Sequence, residues 1–330
     1  MAATSFGSVF SKTMAISVYE SGRFNGHEIV PADSLSLSPA AHVLHYGSAC
    51  FEGLKAHRGT DGVVRIFRLD RHAERMRTSA ELLCLPEPSP ELLTEMVCDV
   101  VSANRDDVPE PPGALYLRPV LIGTEPNIGA AARPSETALL YVLASPVGDY
   151  FDSSRTLTVA VETRLPRTTP QFGQVKTGAN YAMALGITRR AMAEHGADQV
   201  LFAPGGEVQE TGAANFLMIE GNRLITRGLD GSFLHGVTRD SVLTIAREQG
   251  YDVDERTITV DELVDRAPQV EMALSGTAAV LAPIGTLVHE GRHIVVGDGQ
   301  LGPNTAKLRE TLQAVQRGET PDRWGWTTRC

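Results

Sequence analysis

A single lysine stands among small and apolar residues in Gln174-Val175-Lys176-Thr177-Gly178-Ala179-Asn180-Tyr181, at the start of a helical pattern. A lysine amine is nucleophilic only when deprotonated, and burial among uncharged neighbours lowers its pKa because a low-dielectric site disfavours the ammonium. No acidic residue lies between Glu162 and Glu194 to keep it charged by local pairing. Lys176 is therefore a candidate Schiff-base nucleophile, although a solitary lysine beside glycine is also the pattern of a solvated loop. In Val208-Gln209-Glu210-Thr211-Gly212-Ala213-Ala214-Asn215-Phe216-Leu217 a carboxylate, Glu210, follows 34 residues later. After Pro204-Gly205-Gly206 it reads by itself as a solvated turn carboxylate. Gly236-Val237-Thr238-Arg239-Asp240 leads into a helix whose first N–H groups lack intrahelical partners, a ready anion site.

These residues need elements to position them. Asp61-Gly62 between Leu54–His57 and Val63–Leu69 is a hairpin signal. Ala73, Met76, Ala80 and Leu83 share one face of a helix over about 70–83, and Ser89-Pro90 opens a second helix. Ala114–Gly123 and Thr137–Ala144 read as strands that pair across a Gly/Pro/Ala-rich loop, Thr124–Ser135. In the second half strands are expected at Leu157–Val161, Gln199–Ala203, Asn215–Ile219 and Arg223–Thr226, with Gly221-Asn222 a turn. Helices follow the lysine, begin near Thr238 and Thr259, and run from about Asn304 to Arg317. The alternation is too irregular for a doubly wound sheet. Turn residues near 145–154 place a boundary between an N-terminal α+β domain (1–146) and a larger domain (155–330), joined by a loop at 147–154, with residues 1–19 read as a disordered leader.

Composition excludes some functions. The formal net charge of −10 lacks the clustered basic surface of a nucleic-acid binder, and the arginines at 68, 71, 75 and 77 are interrupted by Asp70 and Glu74. No apolar run approaches the roughly 18 to 20 residues of a membrane span. Cys50, Cys84, Cys98 and Cys330 show no Cys-x-x-Cys spacing and no secretory segment precedes them, so neither a disulfide framework nor a metal site is expected. The compartment reads as reducing, and the protein as cytoplasmic. No complete nucleotide-binding glycine motif is present.

Taken together, the lysine with a tyrosine five residues on and the later Glu-Gly-Asn segment resemble the class IV, fold-type IV pyridoxal-phosphate aminotransferases. His45-Tyr46-Gly47-Ser48-Ala49-Cys50-Phe51-Glu52-Gly53-Leu54-Lys55, Leu115-Tyr116-Leu117-Arg118-Pro119, Ser275-Gly276-Thr277-Ala278-Ala279 and Trp324-Gly325-Trp326 narrow the resemblance to the branched-chain amino acid aminotransferases. It runs from about Ser34 to the C-terminus. The resemblance implies a two-domain α/β (α+β) enzyme with a pseudo-barrel in its larger domain and the active site between the domains. It also implies reversible amino transfer from leucine, isoleucine or valine to 2-oxoglutarate, giving branched 2-oxo acids and glutamate.

In that resemblance Lys176 carries pyridoxal phosphate and shuttles protons, Glu210 faces the pyridine nitrogen and Tyr181 bonds the ring oxygen. Arg75, Val237, Thr238 and Thr277 hold the phosphate. Tyr46, Phe51, Tyr116 and Tyr150 line the substrate pocket, Thr277 and Ala278 meet the α-carboxylate, and Arg118 takes the side-chain carboxylate of glutamate. Each aromatic residue could instead be ordinary core. The loop at Glu125–Ala130 reaches the other subunit's site in the family, so a homodimer is implied. The regulatory Cys-x-x-Cys of some relatives is replaced by Ala279 and Ala282. A D-amino acid aminotransferase, an aminodeoxychorismate lyase and a non-catalytic cofactor-binding relative remain alternatives, which the Phe-Glu-Gly-Leu-Lys and Tyr-Leu-Arg-Pro segments and the intact Lys176, Glu210 and Tyr181 disfavour.

Overall fold

The computed structural model describes residues 6–148 and 155–330. The chain divides into two units: Met1–Tyr150 with Val175–Gly178 and Ala314–Cys330, and Phe151–Gln174 with Ala179–Gln313. Val175–Gly178 and the C-terminal 17 residues thus cluster with the first unit, although the sequence reading placed them with the larger second half. The expected connecting loop lies, from residue 149 onward, outside the described residues.

The first unit contains β1 (Thr13–Glu20), β2 (Arg23–Phe24), β3 (Glu28–Pro31), α1 (His42–Tyr46), β4 (Ala49–Phe51), β5 (Leu54–Arg58), β6 (Val64–Phe67), α2 (Leu69–Leu82), α3 (Pro90–Ala103), β7 (Ala114–Gly123) and β8 (Ala138–Val147). The second contributes β9 (Leu157–Glu162), α4 (Gly178–His195), β10 (Gln199–Phe202), β11 (Asn215–Glu220), β12 (Arg223–Thr226), α5 (Val237–Glu248), β13 (Asp252–Glu255), α6 (Val260–Arg266), β14 (Glu271–Gly276), β15 (Val280–His289), β16 (Arg292–Val295) and α7 (Pro303–Gln316). The last strand, β17 (Thr327–Arg329), returns to the first unit.

The first unit is a nine-stranded sheet in the order β17-β6-β5-β7-β8-β1-β2, with β3 on β1 and β4 on β7. Successive side chains in a strand point to opposite faces. Leu115, Leu117 and Leu121 of β7 and Leu54 and Ala56 of β5 therefore enter a core with Ala73, Met76 and Ala80 of α2 and Leu93, Met96 and Val97 of α3. The alternate residues, Tyr116 and Arg118 with Lys55 and His57, lie on the other face. Fully burying each such leucine or methionine is worth about 1.5–3 kcal/mol, which fixes register as well as stability. Ser89 caps α3 by accepting from Leu92 N–H at 3.1 Å, and Asp61 accepts from Val63 N–H at 3.1 Å in the β5–β6 turn.

Two expectations fail here. Thr13–Tyr19, assigned to a disordered leader, lies in β1, a strand between β8 and β3, and Thr13 exchanges hydrogen bonds with Asn104 at the end of α3. A lone alternating run gives no sign of its long-range partner. Cys98 and Cys330, for which no disulfide was expected, are bonded, with Cα atoms 5.1 Å apart across 232 positions. A separation of that size is set by tertiary structure and leaves no local spacing to read.

The second unit is an eight-stranded mixed sheet, β10-β9-β15-β14-β11-β12-β13 with β16 on β15. Its core gathers Phe216 and Met218 of β11 with Val159, Ile225, Met272, Leu274, Ile284 and Leu287. Thr259 caps α6, accepting from Glu262 N–H at 3.1 Å. No helix among the described residues is long and apolar enough to cross a membrane.

Candidate active site

In the first unit the lysine segment is held at its backbone. Phe51 N–H donates to Lys176 O at 3.0 Å, and Lys176 N–H donates to Ser79 Oγ of α2 at 3.1 Å. The side chain leaves Lys176 toward Phe51, whose ring centroid is 5.2 Å from Nζ. Arg118 stacks on that same ring at 4.6 Å and donates from Nη2 to the Tyr116 hydroxyl at 3.0 Å, while its Nε is buried with no hydrogen-bond partner among the described residues. A Cβ on Gly53 would lie 2.0 Å from the Tyr116 hydroxyl, so the β4–β5 corner can approach Tyr116 only because residue 53 is glycine. Lys176, Phe51, Tyr116 and Arg118 are thus gathered by β4, β7 and the segment before α4.

Arg75 is engaged at once. Its Nε and Nη2 donate to the two carboxylate oxygens of Glu52 at 2.7 and 2.8 Å, and His72 Nδ1 donates to Glu52 Oε2 at 2.7 Å. Glu52 is fully buried. Burial pushes its carboxyl up, but the Arg75 charge and the hydrogen bonds from Arg75 and His72 outweigh it and hold the group well below the usual carboxylate range. Burial lowers the His72 pKa despite Glu52, so the imidazole is neutral. With one face of the guanidinium fork fixed by Glu52, the remaining N–H groups have a defined direction. Sequence reasoning used Glu52 only as a letter of a motif; its role depends on α2 lying across the β4–β5 corner.

The second unit organises Glu210. It is 2% exposed. Leu234 N–H donates to Oε1 at 2.9 Å and Asn215 Nδ2 donates to Oε2 at 3.2 Å. Arg167 Nη1 lies 2.7 Å from Oε1 as an ion pair, without the alignment of a hydrogen bond. Arg167 also donates from Nε to Gly212 O at 3.3 Å, and its guanidinium lies 5.6 Å from the Tyr181 ring centroid. Arg167 was missed because nothing in Arg-Thr-Thr-Pro distinguishes it from a solvated arginine. Val237 and Thr238 are buried in the first turn of α5, whose N-cap, Gly236, offers no side-chain hydrogen bond. A Cβ there would lie 2.0 Å from Asn215 Oδ1, so a glycine at 236 gives the start of α5 room beside Asn215 of β11. Thr277 and Ala278 sit half-buried in the β14–β15 turn, beside Ser275, whose buried hydroxyl has no hydrogen-bond partner among the described residues.

Other assigned residues are not drawn into these groups. Tyr46 is 37% exposed on α1, packs on His42 and donates its hydroxyl to Ile128 O in the 125–130 loop. Tyr150 lies outside the described residues.

The profile of the amino-transferase class IV family matches residues 49–286. The chain is 38% identical to branched-chain-amino-acid transaminase 1 of Bacillus subtilis over 333 residues, covering 98% of this chain and 93% of that protein. Among solved structures, the holo branched-chain amino acid aminotransferase of Thermobaculum terrenum, in its PLP form, superposes with a TM-score of 0.80 at 25% identity, covering 97% and 98% of the two chains. The branched-chain aminotransferase of the thermophilic archaeon Thermoproteus uzoniensis, solved with norvaline, gives 0.77 at 28%, covering 96% and 99%. With the family match spanning most of its length and a relative more than a third identical from end to end, the chain belongs to the class IV aminotransferases.

Proposed function

We propose that the protein is a pyridoxal-phosphate-dependent branched-chain-amino-acid aminotransferase, exchanging amino groups between leucine, isoleucine or valine and 2-oxoglutarate. The chemistry rests on one observation above all: a buried carboxylate, Glu210, is held in place by Arg167, Leu234 N–H and Asn215. A fixed, buried carboxylate is the group a protonated pyridine nitrogen requires. The substrate class is supported by the branched-chain enzymes that match almost the whole chain.

The residues present fit the cofactor. The start of α5, which has no side-chain cap, and the Ser275 hydroxyl suit a phosphate, and Thr177 Oγ, like Ser275 Oγ, is buried without a hydrogen-bond partner among the described residues. Bound there, pyridoxal phosphate supplies the electron sink for the substrate α-carbon. Arg75, with Val237 and Thr238 N–H and the Thr277 hydroxyl, binds its phosphate, and Tyr181 donates to its ring oxygen. Lys176 Nζ anchors it covalently, then takes the α-proton from the substrate and returns it. Glu210 keeps the ring nitrogen protonated. Tyr116 hydroxyl and the N–H groups of Thr277 and Ala278 orient the α-carboxylate, Phe51, Tyr46 and Tyr150 form apolar surface, and Arg118 meets the second carboxylate of glutamate. A cytoplasmic homodimer completes this reading. The dimer is supported by Leu185 and Met192, seven residues apart on one face of α4 and each more than half exposed, apolar surface a second copy would cover. The organisation into a small domain, a connecting loop at 147–154 and a cofactor-binding domain belongs to the same proposal.

The test is direct. Purified protein should carry a visible absorbance band that borohydride reduction removes while alkylating Lys176, and leucine and glutamate should each discharge it in single-turnover mixing. A colourless protein that cannot be reconstituted would overturn the proposal, and discharge by D-alanine alone would favour a D-amino acid enzyme.

A further inference from the structure

The disulfide between Cys98 on α3 and Cys330, the last residue of the sequence, has no part in the chemistry above. The other two thiols are differently placed. Cys50 is buried, and burial together with nearby Glu52 pushes its pKa up to about 12, which makes it inert. Cys84 is exposed and alone. Cys98 and Cys330 are half-buried residues, reachable in part by small thiols.

What the disulfide holds is specific. Cys330 follows β17, a three-residue strand at the sheet edge paired with β6. An edge strand so short frays unless it is tied down. Just before it, Trp326 is buried edge-on against Phe67 at 5.7 Å. Arg68 lies over the Trp326 ring at 4.9 Å and donates its backbone N–H to Trp326 O at 2.6 Å. Arg68 is also the residue that starts α2, and it does so in the left-handed region, φ 52° and ψ 41°. A non-glycine residue stays there only where its surroundings hold it. From that start α2 presents His72 and Arg75 to Glu52 and Ser79 to the Lys176 backbone. An unbroken series of contacts, all within the first unit, runs from Cys330 to the arginine assigned to the cofactor phosphate.

We propose that Cys98 and Cys330 form a reversible redox modification site: closing the disulfide clamps the C-terminal strand on β6 and fixes the start of α2, and reduction releases both and weakens cofactor retention. The last step rests on the reading of Arg75 as the phosphate arginine. Closure needs a two-electron oxidant, and a low-molecular-weight disulfide such as oxidised glutathione is the class that fits. One cysteine thiolate attacks it and releases one small thiolate; the second cysteine thiolate then attacks the protein-bound sulfur of the mixed disulfide and releases the other. Two protein thiols are oxidised, one small disulfide is reduced to two thiols, and a dithiol reductant runs the exchange backwards.

The holoenzyme would be equilibrated in glutathione buffers of graded thiol-to-disulfide ratio, quenched in acid and alkylated, and the Cys98–Cys330 peptide followed by mass spectrometry. Tryptic cleavage after Arg323 and the rate of pyridoxal phosphate release would be measured at each ratio. Reduction should speed cleavage after Arg323 by roughly tenfold, because local opening sets proteolytic access, and should speed cofactor release in parallel. Cys330→Ser should behave as the reduced protein at every ratio, and Cys84→Ser should retain the redox response. The proposal is overturned if the cross-link forms in none of the buffers, if it forms without changing cleavage, or if cleavage changes while release does not although Arg75→Gln speeds release. If Arg75→Gln leaves release unaltered, the phosphate assignment of Arg75 fails, and the clamp is judged by cleavage alone.

Discussion

Replacing Glu52 by glutamine removes one charge and almost no volume, which makes it the cleanest perturbation of the first unit. The carboxylate is fully buried and accepts from Arg75 Nε, Arg75 Nη2 and His72 Nδ1 at 2.7–2.8 Å. A glutamine retains one acceptor but turns an N–H group toward donors, so at least one of these bonds becomes a donor–donor contact. It also leaves Arg75, whose side chain is 12% exposed, without its counter-charge. Breaking a buried pair from one side costs about 3–5 kcal/mol, a large part of the roughly 5–15 kcal/mol of a typical fold. Urea unfolding of the cofactor-free protein at neutral pH should show that loss. The pH dependence has a definite sign. The Glu52 pKa is depressed below its ordinary 4.5, so its contribution is complete above about pH 4.5 and is lost as pH falls toward the folded value. The gap between wild type and Glu52→Gln should therefore narrow below about pH 4.5, by up to about 1.4 kcal/mol per pH unit. Glu52→Gln combined with Arg75→Gln should cost less than the two single changes added, because the second removes the stranded charge. A loss below about 1 kcal/mol, or strict additivity, would refute the view that Glu52 and Arg75 depend on each other.

Lys176→Ala should abolish amino transfer and leave the urea midpoint near wild type, since the segment is held through backbone bonds to Phe51 and Ser79; a tenth of the wild-type turnover remaining would end the assigned mechanism. Glu210→Gln should be less complete, lowering kcat by the equivalent of about 2–4 kcal/mol while cofactor stays bound, as followed by absorbance. Arg118→Met should depress kcat/KM for glutamate and 2-oxoglutarate about 30-fold or more and the leucine half-reaction much less; equal losses in single-turnover spectra would make Arg118 purely structural. His57 is buried, both ring nitrogens lack hydrogen-bond partners among the described residues, and burial, aided by Lys55 and Arg317, lowers its pKa from 6.5 to about 3. Folding keeps this imidazole neutral, so its contribution is intact above about pH 6.5 and is lost as pH falls toward 3. His57→Phe should accordingly lose about 2 kcal/mol less stability than wild type between pH 7 and pH 5, measured by urea unfolding.

Much of this was legible in the chain because it is written locally. The Asp61-Gly62 hairpin, the Ser89 and Thr259 caps and the pairing of Ala114–Gly123 with the strand that follows depend on turn chemistry and short-range periodicity, and all form as read. The alternation that sends Leu115 and Leu117 to the core and Tyr116 and Arg118 to the opposite face follows from the two-residue period of a strand. The motifs around Lys176 and Glu210 marked both as candidates for the proposed chemistry.

Tertiary structure alone decided what lies at long sequence separation. Thr13–Glu20 is a strand only because β8 and β3 supply its ladders, and Arg167 is a partner of Glu210 only because the chain returns to within 2.7 Å after 43 residues. Glu52 gains its meaning from α2 crossing the β4–β5 corner, and Cys98 meets Cys330 across 232 positions. Each of these pairings closes a long loop, and nothing in the local spacing of either partner encodes the other. Local propensity writes the elements of this protein; burial of their apolar faces chooses which charged and reactive groups meet.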